Sequence, residues 1–212
     1  MNILLLIIIA SNVIISFKGF NDAAFLNKYK FQVGPIRKGE SFRMFSSGFL
    51  HADPMHLAFN MIALYSLGEF VLSNWGDLPF LILYVGSLLA GSLLSLVIYK
   101  DQPWYSAVGA SGAVTGIIYA AILTDPNLKL YLFMALPIPA YLFGILYLLY
   151  SLYGVHKQSD SIGHGAHFGG AIAGLVLPLL MRPSLFIERF PLIILLLLPI
   201  AFLFYQLKQN KL

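Results

Sequence analysis

Cysteine is absent from this chain and charge is scarce: 13 Lys or Arg and 9 Asp or Glu among 212 residues, or 10%. The first absence excludes disulfides, thiolate metal sites and a cysteine nucleophile. The second excludes an ordinary soluble domain, in which roughly a quarter of the residues are charged. Apolar residues take up the remainder, with 59% hydrophobic and a mean hydropathy of +0.82. No polar block is long enough to fold alone, so the chain reads as a single membrane domain over 1–212.

Seven apolar stretches can be marked, at about 3–17, 54–73, 79–99, 104–124, 129–152, 164–181 and 190–207. Most approach the ~20 residues a helix needs to cross ~30 Å of hydrocarbon. The expected fold is therefore all-α and polytopic, an integral multi-pass membrane protein. The first stretch lacks a basic flank before Ile3 and a small-residue cleavage site, so it reads as a retained span and not a removed signal. A net charge of +4 does not point to nucleic acid, because the basic residues lie between apolar spans. The longest connection, Lys18 to Asp53, mixes Lys28, Lys30, Arg37, Lys38 and Arg43 with Phe25, Tyr29, Phe31 and Phe42. That mixture suits the lipid headgroup region, so the bilayer is the expected partner.

Consecutive spans alternate in direction, so the second, fourth and sixth enter from one side. His56 near the start of the second, Ser111 several residues into the fourth and His167 near the start of the sixth then share a depth. Asn60 follows His56 by four residues and lies on the same helix face, about 6 Å along the axis. Polar side chains in lipid must be bonded or wet, so these residues imply water entering from that side. The small-residue pairs Gly112/Gly116 and Gly170/Gly174 let the fourth and sixth helices approach closely enough for Ser111 to meet His167.

A serine becomes a useful nucleophile when a base removes its proton, and neutral imidazole is the usual base. This gives Ser111 as nucleophile, His167 as base, and the Ser111 N–H, Asn60 amide and His56 ring as donors to an oxyanion. No acid completes a triad: Glu69 lies about 13 Å deeper than Asn60, and Asp160 sits in a loop. His51 reads as a loop anchor. The histidines at 51, 56, 164 and 167 raise a metal site as a lesser alternative, but no carboxylate joins them and H-E-x-x-H is missing.

Three motifs now stand in order: H-x4-H-x3-N at His51, His56 and Asn60; G-x-S-G at Gly109–Gly112; and A-H-x-x-G-x-x-x-G at Ala166–Gly174. In these the sequence resembles the rhomboid family of intramembrane serine proteases over Phe42–Gly174, with Phe42-Arg43 similar to the family's W-R pair. The resemblance implies a six-helix bundle over about 1–182 with an additional seventh C-terminal span at about 190–207. It implies a Ser111–His167 dyad, oxyanion donors at His56 and Asn60, no cofactor or metal, and single-pass transmembrane proteins as substrates. It also implies a cell (inner) membrane location with the site open to the extracytoplasmic side. Lysine and arginine placement points the other way, with six in the first connection against Lys129, Arg182 and Arg189 opposite. The interfacial character of that connection favours the orientation the resemblance implies.

Two positions depart from the family pattern: Thr115 replaces an aromatic beside the histidine, and Leu72 replaces a glutamate. Thr115 is expected to loosen His167, since it offers no ring to stack. The alternative function is a catalytically inactive, client-binding relative or a membrane transporter. The aromatic fifth span and the loop Gly154–Gly163 are expected to serve as gate and cap.

Overall fold

The computed structural model describes residues 2–132, 135–157 and 162–209. Seven long helices organise them: α1 Ile3–Asn21, α2 Pro54–Trp75, α3 Asp77–Ile98, α4 Ser111–Thr124, α5 Ala140–Lys157, α6 His164–Met181 and α7 Phe190–Lys208. Five of these, α1, α2, α3, α6 and α7, are long and apolar enough to cross a membrane. Of the other two, α4 is 14 residues of apolar helix, and α5 has its hydropathy diluted by four tyrosines and by His156 and Lys157. The chain is a helical, multi-pass integral membrane protein.

Helix starts follow local chemistry. Asn2 caps α1 by accepting from the Leu4 N–H at 2.7 Å, and Asp53 caps α2 by accepting from the His56 N–H at 2.8 Å with Pro54 next in line. Gly76, at φ +82°, makes the reversal from α2 to α3. At this far end Glu69 accepts from the Asn2 N–H at 3.2 Å, and Asp77 accepts from the Asn2 amide at 2.7 Å. Glu69 therefore binds the positive end of α1, where a carboxylate is favoured.

α4 is the central post, with every residue from Gly112 to Leu123 buried. Its most extensive neighbours are α6 and α3, which also pack on each other. The approach is backbone to backbone: a Cβ at Gly112 would stand 3.1 Å from the Ala166 carbonyl oxygen, and one at Gly91 2.7 Å from that same oxygen. α1 lies against α2, while α7 lies outside the bundle against α5 and α6.

Two expected spans are only partly helical. The stretch 104–124 becomes helix only at Ser111; before it, β2 (Ser106–Ala107) pairs antiparallel with β1 (Phe31–Gln32) of the first connection. Hydropathy alone does not distinguish a buried extended segment from a helix. The stretch 129–152 opens instead as a hairpin, β3 (Lys129–Leu132) against β4 (Leu136–Pro139). Pro137 and Pro139 explain it, since each lacks an N–H and disfavours helix in the residue before it.

The first connection folds into short helical turns at Ala23–Tyr29, Val33–Arg37 and Arg43–Ser46. Buried Arg43 ties them together, donating to the Asn27 and Lys30 carbonyls at 2.8 and 3.1 Å and to Glu40 at 2.7 Å. The same connection grips the segment leading to Ser111. Val33 N–H reaches the Tyr105 carbonyl at 3.2 Å, Gly34 N–H the Pro103 carbonyl at 2.9 Å, and Gly109 N–H the Ser47 carbonyl at 3.0 Å.

Candidate active site

Ser111 is the first residue of α4, two positions after a backbone turn that only glycine makes easily, Gly109 at φ +131°. Fourteen residues of helix rise about 21 Å, short of ~30 Å of hydrocarbon. The backbone before Ser111 is fixed by His51, fully buried in the approach to α2. Ser16 donates its hydroxyl proton to the Phe49 carbonyl at 3.0 Å and stands 2.8 Å from His51 Nδ1. With that proton committed, Nδ1 carries hydrogen and Nε2 accepts from the Ala110 N–H at 3.4 Å. Burial, reinforced by His56 and opposed by Asp53, pushes His51 down to about 3, so it holds this place as a neutral ring.

His167 lies one turn into α6, buried, with Nε2 2.8 Å from Ser111 Oγ. The glycine seams set this separation, because α4 and α6 are already touching through their backbones at Gly112 and Gly170. Two residues of α5 complete the surroundings of the ring: Ser151 Oγ is 2.8 Å from Nδ1, and the Tyr147 hydroxyl is 3.0 Å from Nε2. The Tyr147 ring lies over the imidazole with centroids 4.8 Å apart. Among the described residues no carboxylate contacts His167, and Asp160 lies outside them.

His56 and Asn60 come to the same place from α2. The His56 ring sits against Gly109, where a Cβ would stand 2.8 Å from its Nε2, and packs edge-on to His51 at 5.0 Å. Asn60 donates one amide hydrogen to the His56 carbonyl at 2.9 Å, leaving its second for a ligand. Ser111, His167, His56 and Asn60 thus all line one cavity of about 620 Å³. It extends between α2 and α5 past Phe59, Ile62, Phe143 and Tyr147 to Leu130 and Tyr131 of the hairpin.

Thr115 donates its hydroxyl to the Ser111 carbonyl at 2.6 Å, and Tyr147 from another helix occupies the ring face that the sequence left open. The expected loosening of His167 is therefore met by a compensating aromatic. Leu72 is buried in the apolar core, away from the chemistry. His164 packs edge-on to Tyr150 and His167, and no three acidic or histidine side chains gather as a metal-binding set among the described residues. Tyr147 and Ser151 were absent from the expected site, although a signal existed. They are an i, i+4 polar pair late in a span antiparallel to the sixth, hence at the depth of His167.

The model of the rhomboid domain matches residues 38–184, well over half of the chain. This chain belongs to the rhomboid family. It is 28% identical over 186 residues to RHOMBOID-like protein 12, mitochondrial, of Arabidopsis thaliana, covering 81% of this chain and 55% of that one. It is 31% identical over 140 residues to rhomboid protease GluP of Bacillus subtilis, covering 66% and 26%. With rhomboid protease GlpG of Salmonella paratyphi A the identity is 29% over 149 residues, covering 68% and 49%. The chain thus matches about half or less of the length of these curated relatives. Rhomboid relatives named as proteases occur in both bacterial examples, and the matched region contains Ser111, His167, His56 and Asn60.

Proposed function

We propose that this rhomboid is an intramembrane serine endopeptidase, with α1–α6 as its six-helix core and α7 as an additional C-terminal span. The observation that carries the reading is Ser111 Oγ at 2.8 Å from His167 Nε2, inside a cavity shared with two further donors. His167 takes the Ser111 proton as Oγ attacks the scissile carbonyl. The oxyanion is received by the Ser111 N–H, which has no partner within its helix, by the free Asn60 N–H and by the His56 ring. His167 then protonates the leaving amine, and water, activated by the same ring, releases the acyl group from Ser111. This chemistry uses neither metal nor cofactor.

The substrate class is a transmembrane segment of a single-pass protein. The cavity walls between α2 and α5 are apolar, which suits such a segment, while the polar end at Ser111 suits a peptide unwound from its helix. The proposed orientation has the amino terminus in the cytoplasm and the site opening to the extracytoplasmic side of the cell membrane. Labelling with a serine-directed fluorophosphonate tests the dyad. The adduct is expected on Ser111, lost in Ser111→Ala and strongly reduced in His167→Ala. A folded wild type that takes no label would instead favour a client-binding or transport role.

A further inference from the structure

A neutral imidazole exchanges between two tautomers, and only the one with hydrogen on Nδ1 offers its Nε2 lone pair to Ser111. In a Ser-His-Asp triad the carboxylate makes that choice. Here the groups around His167 come from α5. Ser151 donates its only proton to the Tyr147 carbonyl at 2.9 Å, so its oxygen faces Nδ1 at 2.8 Å as an acceptor. Nδ1 must then carry the hydrogen, and Nε2 is left to accept from Ser111 at 2.8 Å. The Tyr147 hydroxyl, 3.0 Å from Nε2, shares that lone pair as a donor in the resting state and turns to accept the N–H once the nitrogen is protonated, the state formed as Ser111 attacks.

We propose that Ser151 and Tyr147 are the positioning residues of the dyad, Ser151 fixing the His167 tautomer and Tyr147 holding the ring plane and receiving the imidazolium N–H. Both ride on α5, so seating of α5 against α6 assembles the working dyad. Substrate must therefore enter without lifting α5 at 147–151. The room lies on the α2 wall at Phe59 and Ile62 and lower on α5 at Phe143, all of which line the cavity. This proposal rests on the reading of Ser111 and His167 as a dyad.

Two readouts on the full-length protein in liposomes test it: kcat and KM for cleavage of a single-pass substrate, and nitrogen NMR of isotopically labelled histidine, with the His167 signal assigned through His167→Gln. The wild type is expected to hold hydrogen on Nδ1. Ser151→Ala should mix the tautomers and lower kcat about tenfold or more with KM unchanged, a milder loss than the ~10⁴ seen when a triad acid is replaced. Ser151→Thr, which keeps the hydroxyl, should restore both. Tyr147→Phe should lower kcat by a smaller factor and leave the tautomer intact. Hydrogen on Nε2 in the wild type, a wild-type kcat in Ser151→Ala, or a loss there with the tautomer unmoved would each overturn the proposal. The NMR signal needs no turnover, so a protein that neither cleaves nor takes a fluorophosphonate defeats the protease reading separately from the tautomer assignment.

Discussion

On one side of the bundle α3, α4 and α6 meet backbone to backbone, while on the other α2 and α5 stand apart around a cavity of about 620 Å³. The closed side is built of glycine, where one added methyl meets a carbonyl. The open side is built of Phe59, Ile62 and Phe143, whose side chains can change rotamer without moving a helix. The contrast separates two requirements of the proposed chemistry. Ser111 and His167 need a separation fixed to a few tenths of an ångström, and a transmembrane substrate needs a wall that yields. Ser151 and Tyr147 extend the rigid part onto α5, so the two requirements divide along that helix and not between helices.

The largest expected effect breaks the rigid side at its chemistry. His167→Ala should lower cleavage by at least about 10⁴-fold with folding intact, and His56→Ala and Asn60→Ala by about 10² to 10³ each if they serve as oxyanion donors, read as kcat. Next comes the seam itself. A Cβ at Gly170 would run into the Gly112 backbone, so Gly170→Ala should cost about 1–3 kcal/mol in thermal unfolding. Gly163→Ala, whose Cβ would stand 3.4 Å from Ala107, should stay within about 0.5 kcal/mol.

The open side should respond in the opposite sense. Phe143→Ala or Phe59→Ala is expected to raise turnover a few-fold by easing entry between α2 and α5. Equal or lower rates across such a series, with unchanged thermal stability, would place the entry elsewhere. A separate, pH-dependent effect concerns His51. Its value near 6.5 when unfolded falls to about 3 when folded, so between these the unfolded chain binds more protons and stability rises with pH. Acidification below about 6.5 should weaken the protein by at most about 1.4 kcal/mol per pH unit, a slope that His51→Asn should flatten.

Much of this arrangement was legible beforehand, for a physical reason. Alternation of spans fixes depth, and depth alone was enough to bring His56, Asn60, Ser111 and His167 to one cavity. Depth does not fix which way a helix faces, so Tyr147 and Ser151, equally well placed by counting, were not singled out. Hydropathy also does not report backbone conformation. Trp104–Ala110 is apolar enough to extend a span, yet it forms turns around a two-residue strand, Ser106–Ala107, held by Phe31–Gly34 and Ser47. The prolines at 137 and 139 were visible signals against helix in 129–139. Glu69 meets the start of α1, a tertiary contact that no local pattern encodes.

The central claim is tested most directly by reconstituting the wild type and Ser111→Ala in liposomes with a single-pass substrate and mapping any cut by mass spectrometry. The account predicts one cut near the membrane boundary of the substrate helix by the wild type and none by the mutant. Equal cleavage by both, or none by a folded wild type across several substrates, would contradict it.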